Sequence, residues 1–296
     1  MKSIIKFSDV TARDGLQVLS KALSFESKTK LINNLRKCNF DEIEIGSLVN
    51  YKIIPTMKYS LELFQQTRLK ESKDYLLVGS NKYIDQVNEF NIKNISLFTS
   101  ASNTFNIKNI NCDIDESFNR FSKMLNNLEN RKSVNVKGYI SCIGNCPYEG
   151  DVNIDKIIEV INKFKNVGVD ELCIADTLGD MKSSKLENIL TEVLNRSKYS
   201  INKFSLHLHV NYNDDEWSNN LKTALKYGIK KYDTTLLNLG GCPSAYNKEK
   251  FPSGNLNIIK AYELFNSLGY KMNVNIEEVK KIEINLKEIL LNEKLI

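Results

Sequence analysis

The chain has 296 residues, 42% hydrophobic and 26% charged, with a formal net charge of +5, the balance of a globular protein with a sizeable core. The basic residues are dispersed, which argues against a nucleic-acid partner, and no apolar stretch approaches the length of a membrane span. Six scattered cysteines are too few for a disulfide scaffold, and no signal-type run follows Met1, so a reducing cytoplasm is the expected location.

From the N-terminus onward, short β-rich runs alternate with stretches of helical period. Strands are predicted at 3–8, 42–45, 75–78, 94–99, 135–141, 171–175, 204–210 and 231–234. Helices are predicted at 25–38, 115–128, 153–167, 184–195, 215–227 and 256–268, with Ser24, Ser184 and Asp215 as capping residues. In 115–128, for example, Phe118, Phe121, Leu125 and Leu128 recur at spacings of three and four. Strands alternating with helical stretches imply a parallel sheet, and eight strands are the number that closes a barrel. A doubly wound open sheet would favour a G-x-G-x-x-G turn after an early strand, and none occurs. The expected fold is therefore α/β, a (β/α)8 TIM barrel over residues 1–274, with a short helical C-terminal extension over 275–296.

In such a barrel the reactive side chains sit where strands end and βα loops begin. The only two histidines, His207 and His209, lie one residue apart in a predicted strand and so project from one face. That arrangement suits one shared metal ion; the competing reading is a hydrogen-bonded pair in a polar lining. Arg13 and Asp14 follow the first strand, as an enolate-stabilising cation and a third metal ligand, or as a surface ion pair. Asn255 offers an amide oxygen to the same ion or serves as a turn residue. Two imidazoles with oxygen donors suit Mg²⁺ or Mn²⁺, with Zn²⁺ and Co²⁺ as alternatives. Glu44 ends the second strand and Asp176 the sixth, while Cys242 stands in a Gly-Gly-Cys-Pro turn suited to proton donation. Cys142 and Cys146 raise a rival possibility, a closed zinc site completed by the two histidines.

Together these pieces resemble the 3-hydroxy-3-methylglutaryl-CoA lyase family of metal-dependent TIM barrels. The resemblance is carried by Arg13-Asp14-Gly15-Leu16-Gln17, Glu42-Ile43-Glu44, Cys146-Pro147-Tyr148-Glu149-Gly150, Asp176-Thr177-Leu178-Gly179, His207-Leu208-His209, Gly240-Gly241-Cys242-Pro243 and Ser253-Gly254-Asn255. It implies that Asp14, His207, His209 and Asn255 bind a divalent cation, and that the substrate is a small-molecule acyl-CoA. It further implies that Arg13 stabilises an enolate, Cys242 protonates it, and Asp176 and Glu44 orient Arg13 and the reacting hydroxyl. His207 or Asp14 is the implied base, and a homodimer the implied assembly. The sequence departs from the family pattern at Ile45-Gly46, Val210-Asn211, Asn238 and Ser244 and in a longer Cys242–Asn255 loop, which leaves the exact acyl substrate open. Claisen condensation onto a 2-oxo acid and a non-catalytic metal-binding barrel are the other functions compatible with these residues.

Overall fold

A computed structural model describes residues 4–67, 73–197, 199–241 and 253–296. Along the chain run β1 (Ile4–Asp9), α1 (Phe25–Lys37), β2 (Glu42–Leu48), α2 (Ser60–Thr67), β3 (Asp74–Val78), α3 (Ile84–Glu89), β4 (Asn94–Ser100), α4 (Asn103–Ile110) and α5 (Ile114–Asn126). There follow β5 (Asn135–Ser141), α6 (Ile154–Val167), β6 (Glu171–Asp176), α7 (Ser183–Arg196), β7 (Phe204–Val210), α8 (Glu216–Lys226), β8 (Lys231–Thr234), α9 (Ile258–Ser267) and α10 (Ile276–Asn292). The residues form two compact units, Met1–Leu77 with Lys231–Gly240 and Asn255–Ile296, and Val78–Lys230 with Gly241–Gly254.

In the first unit the strand order is β8-β1-β2-β3. Phe7 lies in register with Tyr232, and both rings meet Phe265 of α9, at centroid separations of 6.1 and 4.8 Å. The Ser24 side chain caps α1, as expected, by accepting the Ser27 N–H. Helix α1 turns Leu31, Ile32 and Leu35 into the core and also buries Lys28. The Lys28 ammonium donates to the Thr56 carbonyl at 3.1 Å, and burial pushes its pKa down to about 7. Helix α10 is fastened to the same unit: the Asn275 N–H donates to Cys38 O at 2.7 Å, and Ser24 donates to the Glu293 carboxylate.

In the second unit β4, β5, β6 and β7 pair in parallel in that order. Gly138 of β5 is a packing requirement, since a Cβ there would lie 2.7 Å from the Phe164 ring. That ring is in turn packed by Phe118 and Phe121 of α5, at 4.8 and 5.6 Å. Beyond β5 a small antiparallel hairpin pairs Asn145–Cys146 with Gly150–Asp151.

Eight strands, each followed by at least one helix, with β8, β1 and β2 parallel in the first unit and β4 to β7 parallel in the second, give the (β/α)8 barrel class, with α10 as the C-terminal helix. Two expected caps differ. Ser184 lies inside α7, whose cap position is Lys182, and Asp215 occupies the cap of α8 without bonding it, because Asp214 accepts the Glu216 N–H instead. Among the described residues no helix is long and apolar enough to cross a membrane.

Candidate active site and metal ligands

In the first unit β1 ends at Asp9, and the chain turns through a single wide π-helical turn, Thr11–Gly15, a geometry often found at functional positions. Asp9 holds the turn by accepting the Thr11 N–H at 3.0 Å and hydroxyl at 2.9 Å. The Thr11 oxygen accepts the Leu236 N–H at 2.9 Å, tying the turn to the segment after β8. This places Arg13 and Asp14 side by side at the strand ends.

The Arg13 guanidinium is buried and held by two carboxylates. Its Nε and Nη2 each lie 2.6 Å from Glu44 Oε2, and its Nη1 donates to Asp14 Oδ1 at 2.5 Å. A planar fork is the one basic side chain able to satisfy both acids at once. The other Asp14 oxygen, Oδ2, accepts from Asn255 Nδ2 at 2.7 Å. Asn255 is 1% exposed, and its Oδ1 accepts no hydrogen bond from the described residues. A bare buried amide oxygen is costly unless a positive group satisfies it. Gly240, at φ +112, lies so close to the Asn255 amide that any side chain there would collide with it. The expected residues Arg13, Asp14, Glu44 and Asn255 are thus brought together, and Gly240 is a contributor that sequence reasoning missed.

In the second unit His207 and His209 project from one face of β7, as the alternation predicts, with ring centroids 5.2 Å apart. The His209 Nδ1 lies 2.7 Å from the Thr177 carbonyl oxygen. A carbonyl only accepts, so Nδ1 carries a proton. Asp176, at the end of β6, accepts the Gly179 N–H through Oδ1 and the Met181 N–H through Oδ2, both at 3.1 Å. Burial pushes the Asp176 carboxyl up to about 6, while the Met181 and Gly179 N–H groups and His209 pull the other way and Asp180 adds to the rise.

The Cys-Pro-Tyr-Glu-Gly run serves the start of α4. Cys146 Sγ lies 3.1 Å from Ser102 Oγ, Tyr148 packs 6.3 Å from the Phe105 ring, and Glu149 accepts the Thr104 N–H at 3.0 Å. Among the described residues neither Cys142 nor Cys146 joins a metal-ligating group with the histidines, so the closed zinc alternative has no geometric support. Cys242 lies outside the described residues.

The candidate donors are imidazole nitrogens in the second unit and, in the first, the Asn255 amide oxygen and the Asp14 carboxylate that Asn255 Nδ2 bonds. Nitrogen and oxygen donors without thiolate fit a hard or borderline divalent cation.

A family profile, HMGL-like, matches residues 4–285. The hydroxymethylglutaryl-CoA lyase of Pseudomonas mevalonii is 29% identical over 286 residues, covering 95% of this chain and 91% of that protein. The mitochondrial hydroxymethylglutaryl-CoA lyase of Macaca fascicularis is 31% identical, covering 93% of this chain and 82% of that protein. Among solved structures, an HMG-CoA lyase from Acinetobacter baumannii in complex with coenzyme A and 3-methylmalate superposes with a TM-score of 0.89 at 26% identity, covering 98% of this chain and 93% of that one.

Proposed function

The chain belongs to the HMGL-like family, and on that footing we propose that it is a divalent-metal-dependent carbon–carbon lyase. Its substrate is 3-hydroxy-3-methylglutaryl-CoA, cleaved to acetyl-CoA and acetoacetate. The observation that carries the reading is the Arg13–Asp14–Glu44–Asn255 constellation with its one unsatisfied buried oxygen, Asn255 Oδ1. In this reading Asp14, His207, His209 and Asn255 Oδ1 are the ligands.

A bound Mg²⁺ or Mn²⁺ supplies the positive charge that acidifies the substrate's 3-hydroxyl. A base of the protein, His207 or Asp14, takes the hydroxyl proton. The oxygen's electrons form the ketone as the C2–C3 bond breaks, and the bonding pair leaves on C2 as the enolate of acetyl-CoA. Arg13, fixed in advance by Glu44 and Asp14, stabilises the enolate oxygen without reorganising as charge develops. Asp176 orients the reacting groups, and Cys242 returns a proton to C2. The catalytic barrel spans residues 1–274 with 275–296 as its helical extension. The enzyme is a cytoplasmic homodimer acting in leucine breakdown.

The test is purified protein with the substrate and Mg²⁺ or Mn²⁺. Acetyl-CoA and acetoacetate should appear in equal amounts, stop on chelation and return when the metal is restored. Intact thioester after incubation with either metal would refute the assignment.

A further inference from the structure

We propose that Thr177 is a positioning residue for His209, its hydroxyl fixing the direction of its own carbonyl and so the tautomer and aim of the imidazole. The inference deepens the reading of His209 as a metal ligand and rests on it for its functional consequence, though not for its geometry.

Three consecutive strands of the second unit meet at Thr177. Just past β5, Cys142 is fully buried and has φ +59, a left-handed conformation that a side chain other than glycine adopts only when its surroundings enforce it. Its N–H donates to Thr177 Oγ1 at 2.8 Å, and the next N–H, of Ile143, donates to the Ala175 carbonyl at 3.2 Å. Two successive amides of the turn are thereby aimed at the end of β6. On the other side the Thr177 carbonyl accepts His209 Nδ1–H at 2.7 Å. One buried residue thus receives the β5 turn with its side chain and the β7 imidazole with its main chain.

The peptide that carries this carbonyl joins Thr177 to Leu178 and is followed by Gly179, at φ +68. Gly179 has to be glycine, because a Cβ there would lie 2.7 Å from the His209 carbonyl oxygen. Only Leu178 lies between that peptide plane and Gly179, whose N–H is held by Asp176 Oδ1 at 3.1 Å. The anchor on the Thr177 side of that plane is the hydroxyl, whose β-branched side chain has few χ1 choices. Remove the oxygen and the carbonyl loses its fixed direction. His209 is then no longer held with its proton on Nδ1. Hydrogen-bonded partners of this kind typically alter metal affinity by about 10–100-fold when lost.

With only two histidines in the chain, their tautomers are read directly from long-range ¹H–¹⁵N spectra of the imidazoles, assigned with His207→Gln. Spectra are taken without metal at about pH 8, where an ordinary imidazole is neutral. The wild type should show His209 as a single Nδ1–H tautomer. Thr177→Val, which keeps the shape and loses the oxygen, should give mixed tautomers, and Thr177→Ser should restore the wild-type pattern. In parallel, Mn²⁺ binding is followed by the electron paramagnetic resonance of the free ion. Thr177→Val should bind about 10–100-fold more weakly and Thr177→Ser within about threefold of the wild type. An unchanged His209 tautomer in Thr177→Val, or a serine variant as impaired as the valine one, overturns the proposal. If the tautomer responds as expected while the wild type binds no Mn²⁺, the positioning role stands and the metal reading fails.

Discussion

Replacing Gly240 with alanine probes the ligand arrangement most directly. At φ +112 an alanine carries backbone strain of about 1–3 kcal/mol wherever it sits. The added Cβ would also collide with Asn255 Nδ2, and would lie 2.8 Å from the amide carbon and 3.3 Å from Asp14 Oδ2. Asn255 is buried, and an amide pushed off its position gives up the Nδ2–Asp14 bond, at a cost of roughly 1.5–3 kcal/mol for a bond to a charged group. Asn255 Oδ1 turns with its amide. If it is a ligand, Mn²⁺ affinity should fall by about 10–100-fold, in line with other losses of aligned partners at metal sites. Gly168→Ala is the control: Gly168 also has positive φ, +78, but a Cβ there meets nothing within 4 Å. It should lower the urea midpoint without touching Mn²⁺ binding, whereas Gly240→Ala should lower both. A folded Gly240→Ala protein that binds Mn²⁺ within twofold of the wild type would refute the reasoning.

Two further perturbations test separate parts of the structure. The Lys28 pKa falls from 10.5 to about 7 on folding, so between those values the unfolded chain binds more protons than the folded one. Stability should therefore rise as the pH goes from 7 to 10.5, by at most about 5 kcal/mol from this residue. Urea midpoints at the two ends should show the rise in the wild type and not in Lys28→Met; equal slopes would contradict the burial effect. At the site, Arg13→Lys keeps the charge but cannot span Glu44 and Asp14 together. It should lower kcat by roughly 10²–10³ with a smaller effect on KM, read from acetyl-CoA release, and a change confined to KM would argue against an enolate-stabilising role.

The long amphipathic elements and the strands were legible because their periods are strong. The predicted strand 204–210 is β7 to the residue, its alternation already placing both histidines on one face. Helices α2, α3 and α4 were not legible, and the reason is physical. They are 8, 6 and 8 residues long, too short for periodicity, and Asn103–Ile110 is rich in poor helix formers. Ser102 capping Phe105 was its one local signal. Of the candidate site, the residue types were readable from motifs, yet the bonds that aim them were not. Asn255 and Asp14 meet across 241 positions, and the Thr177 contact to His209 runs through a main-chain carbonyl that leaves no mark on the sequence. Gly240 stood in the Gly-Gly-Cys-Pro motif, but nothing local says that its missing side chain makes room for Asn255.

Two of the candidate ligands are aimed by the same design, each through one polar atom bonded to a partner in its own unit. Asn255 gives Nδ2 to Asp14, and His209 gives Nδ1 to Thr177. The design makes Asn255→Asp informative, because counting charges and examining bonds give opposite answers. A second carboxylate is nominally a better ligand for a hard cation, so charge counting predicts tighter binding. Yet the new oxygen would sit where Nδ2 now lies, 2.7 Å from Asp14 Oδ2. Two carboxylate oxygens that close cannot both be ionised, so the pair would hold a shared proton that raises one pKa strongly. Mn²⁺ would have to displace that proton, adding one proton's worth of pH dependence, about tenfold in affinity per pH unit below the shared pKa. At pH 6 Asn255→Asp should therefore bind Mn²⁺ more weakly than the wild type, with the gap closing by pH 8. Tighter binding by the variant at both values would show that the Asn255–Asp14 bond does not govern the ligand geometry.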